Sequence, residues 1–181
     1  MPRKYKIILV IVCFLVVALM IGYHLILRNY LLGRDLYNYG NSMAIQCDRI
    51  VSSIDYLEKE YAALEDSDEE VHTHSFEEAI KTVWSYFGTK DLPFLDDVRE
   101  QYIDILMEVF HQLPNDGGIR KMFTEETDID IYGLRDQLKI VVNTFVDFAE
   151  RYNEMSEWER YFTSWKRVRE ELTETVRIPE N

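Results

Sequence analysis

Glycine, proline and cysteine are scarce in this 181-residue chain, at seven, four and two residues. So little glycine and proline leaves no flexible or polyproline linker, and no internal repeat is visible. Neither kind of glycine-rich phosphate loop occurs, which removes the commonest nucleotide-binding signatures. Cys13 and Cys47 are 34 residues apart. Along a continuous helix that is about 50 Å, too far to pair within one chain, so there is no disulfide framework. No Asn-x-Ser/Thr sequon is present to mark a compartment. Acidic residues are missing from the first 34 positions.

That last absence makes the charge lopsided. All 33 acidic residues but only 17 of the 20 basic ones lie in residues 28–181, which therefore carry a formal charge of −16. A surface this acidic repels phosphate, which argues against nucleic-acid binding and against docking onto anionic headgroups.

What is present begins with Ile7–Leu27, 21 residues without Lys, Arg, Asp or Glu. As a helix this stretch is about 30 Å long, the thickness of a bilayer's hydrocarbon core, with every backbone amide satisfied internally. Arg3, Lys4 and Lys6 precede it like the start of a secretory signal. The apolar run is too long for a cleaved signal, however, and its outer half lacks a small-x-small pair. Only six apolar residues precede Cys13, which excludes a lipoprotein signal. The expectation is a retained signal-anchor through residues 7–27. The basic excess before it places the N-terminus in the cytoplasm and the rest of the chain outside. Residues 1–28 then form the cytoplasmic tip and anchor, and residues 29–181 one acidic helical domain.

Met43, Cys47, Ile50, Ile54, Leu57, Tyr61 and Leu64 follow at alternating steps of four and three, the seam of a coiled-coil-like helix. Gly33 and Gly40-Asn41-Ser42 weaken helix between anchor and seam, so a frayed turn is expected there. Ser75-Phe-Glu-Glu78 reads as a capping box opening a helix with Phe76, Ile80, Val83 and Phe87 inward. Pro93 suits the first turn of a third helix, which turns Leu95, Val98, Tyr102, Ile105, Val109 and Leu113 to one face. Ile119, Met122 and Phe123 suit a short turn packed on the core. A fourth helix over about 130–154 buries Ile131, Leu134, Leu138, Val141, Val142, Phe145, Ala149 and Tyr152. Ser156-Glu-Trp-Glu159 is a second capping box, opening a fifth helix with Trp158, Phe162, Trp165, Val168, Leu172 and Val176 inward. No sustained period-two alternation appears. The pattern predicts an all-α protein: one N-terminal transmembrane helix, then an antiparallel bundle of four to five helices.

Candidate chemistry is thin. His72-Thr-His74 beside Asp68, Glu69 and Glu70 is the best metal candidate, but this loop spacing has no preferred geometry and a solvated acidic loop explains it. Asn115-Asp-Gly-Gly118 and Asp128-Ile-Asp130 lack the ligand ladder of a calcium loop and fit a turn and an N-cap. Ser67, Ser75 and Ser156 sit at helix starts, where capping explains them. Cys47 occupies the seam, and His111 lies late in its helix, where the dipole favours a cation. No catalytic, cofactor or metal site is therefore expected, and the chain reads as no enzyme. Its partners are the bilayer, through residues 7–27, and another membrane or envelope protein. The acidic loop at Glu69 and the off-stripe Tyr161 are the candidate contacts. The functional expectation is an accessory or scaffolding interaction protein; the alternative is a membrane-tethered module that senses or binds a small ligand between its helices.

Overall fold

The steps of four and three from Met43 carry a stripe along one side of a helix, and Met43, Cys47, Ile50, Ile54 and Leu57 are all buried. The computed structural model describes residues 3–63, 73–88, 96–112, 118–124 and 129–178. Among these residues are seven helices and no strand: α1 (Arg3–Ala63), α2 (His74–Gly88), α3 (Asp96–Gln112), α4 (Gly118–Thr124), α5 (Ile131–Glu154), α6 (Glu157–Phe162) and α7 (Trp165–Val176). The protein is all-α, as its periodicity predicts.

α1 is 61 residues long and joins the apolar N-terminal stretch to the seam. Among the described residues it alone is long and apolar enough to cross a membrane, and none of the side chains in its most apolar window is buried in the fold. The frayed turn expected at Gly33 and Gly40–Ser42 is absent, since helix runs through all of them. Packing explains the difference. Trp165 lies over Gly33 and Phe145 over Gly40, both fully buried. Large aromatic burial there outweighs the roughly 1 kcal/mol by which each glycine weakens a helix.

α5 lies antiparallel to α1. Its first turns meet the end of α1, where Arg135 pairs with Asp55 at 3.3 Å and Glu58 at 3.1 Å. Its middle meets Gly40 and Tyr39 through Phe145, and Tyr152 near its end stacks on Tyr37 at 4.6 Å. The ion pairs are partly exposed and contribute at most about 1 kcal/mol, so the apolar stripe of α5 supplies the hold. Asp130 caps α5 by accepting from the Gly133 amide at 2.7 Å, the N-cap role read for this segment. Ile119 and Met122 of α4 are buried, and Phe123 packs between Tyr61 and Tyr132.

Local expectations shift in two helices. α2 starts at His74, ahead of the capping box read at Ser75. Thr73 closes the first turn instead, its carbonyl accepting from the Glu77 amide at 3.1 Å and its hydroxyl meeting the Glu77 carboxylate at 3.2 Å. Ser75 is thereby left exposed within the first turn. On α3 the inward face is Val98, Tyr102, Leu106 and Val109, with Ile105 half-buried. The Tyr102 hydroxyl donates to the Val176 carbonyl at 2.7 Å, tying α3 to the end of α7. Phe87, Leu95 and Leu113 lie outside the residues whose side chains are described.

Burial raises the Cys47 thiol far above its ordinary value, helped by neighbouring Asp48. Tyr102 is raised likewise, by burial and then by Cys47. Both stay protonated in the fold while the unfolded chain ionises them near pH 9.0 and 10.0. Their contribution to stability is whole below those values and is lost as pH rises further, by up to about 1.4 kcal/mol per pH unit per group. Denaturant melts at alkaline pH are expected to show this fall, and Cys47→Ala to make it shallower from about pH 9 upward. An unchanged slope in that variant would exclude a buried, protonated thiol.

Candidate functional site

Residues 156–176 read as one helix but form two. Thr163 adopts extended backbone (φ −63°, ψ 138°) after its amide closes α6 on the Glu159 carbonyl at 2.8 Å. Its hydroxyl donates to the same carbonyl at 2.7 Å. Hydroxyl side chains offer the backbone such alternatives to continued helix, and Thr163 does so here. The break resets the helical phase. Trp165, Leu172 and Val176 of α7 stay buried, whereas Trp158 and Phe162 of α6, expected inward, are 74% and 64% exposed.

α6 is held firmly all the same. Ser156 and Glu159 form the predicted capping box: the hydroxyl accepts from the Glu159 amide at 3.3 Å, and the carboxylate accepts from the Ser156 amide at 2.7 Å. The Ser156 hydroxyl also donates to that carboxylate, and these bonds hold its pKa below the ordinary glutamate value. Asn29 on α1 donates to the Tyr161 and Thr163 carbonyls at 3.1 and 2.7 Å where the helix ends, the second of them also accepting from the Trp165 amide at 3.0 Å. Arg160 lies over the Tyr152 ring at 4.5 Å and donates to the Tyr152 carbonyl at the end of α5. Beneath, the Trp165 indole N–H donates to the Arg160 carbonyl at 2.7 Å.

This scaffold builds an apolar groove of about 390 Å³ beside α1. Tyr23, Ile26 and Leu27 form one wall; Glu157, Trp158, Tyr161 and Phe162 form the other. Trp158 and Phe162 stack at 5.6 Å with planes 8° apart, one turn apart on the open face of α6. Tyr161 is half-buried, stacked on Tyr30 at 4.5 Å. Among the described residues Glu157 is the one carboxylate on the wall, so the groove they form suits an apolar occupant and presents no acid–base pair.

Other candidates come together less well. A cleft between α1 and α2 collects Ser52, Ser53, Ser75 and Thr82 around Arg49. The Ser53 and Thr82 hydroxyls donate to carbonyls of their own helices, and among the described residues no histidine lines the cleft to activate a nucleophile. His74 is exposed at the start of α2, and His72 with the acidic loop at Glu69 lies outside the described residues. Asn115–Gly117, Asp128 and Ser67 also lie outside them. Among the described residues no three His, Cys, Asp or Glu side chains converge as a metal site would require. Comparison with protein-family models, curated proteins and solved structures finds no match to this chain.

Sequence reasoning missed Asn29 and the outward turn of Trp158 and Phe162. The adjacent hydroxyls at Thr163-Ser164 were the available signal for the break.

Proposed function

We propose that this chain is a single-pass membrane protein, N-terminus cytoplasmic and helical domain extracytoplasmic. In this reading it serves as an accessory or scaffolding subunit that binds another membrane or envelope protein and catalyses nothing itself. The observation that carries the proposal is the continuity of α1: one helix serves as both apolar span and central core element. A domain built on its own anchor is held at one height and bearing above the bilayer. Such tethering raises its effective concentration for a neighbouring membrane partner without any added contact. The acidic surface favours a partner with basic character.

Proximity labelling from the C-terminus of the full chain is expected to enrich one or a few membrane proteins reproducibly. Charge reversal at Glu69, or Tyr161→Ala, is expected to weaken that recovery without changing the helical circular dichroism spectrum. A C-terminal reporter active only outside the cytoplasm tests the orientation. A defined small solute that raises the melting temperature by several degrees, with no reproducible protein partner, would favour the ligand-binding alternative.

A further inference from the structure

We infer that α6 is a membrane-surface element: Trp158 and Phe162 insert into the headgroup–acyl boundary of the bilayer that α1 crosses, and a lipid chain fills the groove beside them. The inference rests on the reading of α1 as an anchor and goes beyond it by assigning a lipid contact to the folded domain.

Height carries the first step. Tyr23, Ile26 and Leu27, which wall the groove, belong to the last two turns of the apolar run Ile7–Leu27. At 1.5 Å per residue they lie in its outermost 6 Å or so, at the level where hydrocarbon gives way to headgroups. Arg28 is the first charged residue after the run and is exposed, with Asn29 beside it. Because Asn29 and Tyr30 bind α6 directly, α6 has the same height as this boundary.

Chemistry carries the second. Trp and Tyr concentrate at membrane interfaces because each presents an apolar body with a polar edge. Trp158, Phe162 and Tyr23 are all exposed at that level. In water the stacked pair would be a large apolar patch left exposed by the described residues; at the boundary it meets the solvent it suits. The occupant is apolar, as the rest of the lining is, and not an anionic headgroup phosphate, since the groove contains Glu157 and the domain repels anions.

Full-length protein reconstituted in phosphatidylcholine vesicles tests this. Lipids brominated near the headgroup end of the acyl chain quench an indole they touch. They are expected to remove most of the Trp158 emission, read as the difference between wild type and Trp158→Phe. Trp84 of α2, against Phe110 of α3, and buried Trp165 remain in both proteins. Raising the salt concentration is expected to leave the quenching unchanged. Emission quenched by aqueous iodide and untouched by bromolipid would put Trp158 in water and overturn the proposal. Protection from both quenchers would put it under protein and overturn it equally. Extraction of the chain from the vesicles by alkaline carbonate would instead remove the anchor reading itself, and this proposal with it.

Discussion

Trp165→Ala is expected to be among the most damaging single substitutions in the chain, lowering stability by about 3–5 kcal/mol. The indole is fully buried where three helices meet. It lies over Gly33 of α1 and contacts Phe148 at 6.2 Å, edge to face, and Tyr152 at 5.4 Å on α5. Its N–H also satisfies the Arg160 carbonyl at the end of α6. Truncation leaves a cavity facing a glycine, which has no side chain to move into it, so relaxation is limited. Thermal melts in detergent are expected to shift downward by roughly 6–20 °C for a domain of this size. Trp165→Phe keeps most of the apolar area and loses the N–H, so a smaller loss of about 1–2 kcal/mol is expected. Trp158→Ala, on the open face of α6, is expected to stay within about 0.5 kcal/mol. If the two tryptophan truncations cost the same, the assignment of one to the core and the other to the surface is wrong.

Those two tryptophans also show what the sequence made legible. Helix class, the seam of α1 and the inward stripe of α5 follow from periodicity, because a helix that buries one face must repeat apolar residues near every third or fourth position. Ser156 and Asp130 were legible as caps because their partners lie three residues away. The failures came where periodicity persists across a break. Trp158, Phe162 and Trp165 fit one continuous stripe, and two non-helical residues between them put the first pair on the outside and the third in the core. Spacing cannot report that reversal, since it depends on Asn29 of α1 meeting the Tyr161 and Thr163 carbonyls from a distant part of the chain. The groove was illegible for the same reason: its two walls, residues 23–27 and 157–162, are far apart in the chain and meet only in the fold.

The glycines of α1 were misread in a way that yields a prediction with an unusual sign. By helix propensity alone, Gly40→Ala should stabilise α1 by roughly 1 kcal/mol, because alanine loses less backbone entropy. In the fold a Cβ at residue 40 would collide with the ring of Phe145, and one at residue 33 with the indole of Trp165. Neither ring has room to retreat. Phe145 is fully buried and edge-on to Tyr39 at 6.3 Å, and Trp165 is enclosed by Phe148, Tyr152 and α1 itself. Overpacking of this kind costs about 1–3 kcal/mol and more for larger side chains, so the steric term outweighs the propensity term. Gly40→Ala and Gly33→Ala are therefore both expected to destabilise the protein, and Gly40→Leu severely, because it must separate α5 from α1. Gly22, with nothing near its Cβ position, is the internal control. Gly22→Ala lies in the apolar stretch and is expected to leave the bundle's melt unchanged. The decisive pairing is Gly40→Ala with Phe145→Leu. Trimming the ring opens the space that the new methyl occupies, so the double variant is expected to be more stable than the sum of the two single losses allows. Simple additivity would mean that residue 40 and Phe145 do not touch, and that α5 approaches α1 in some other register.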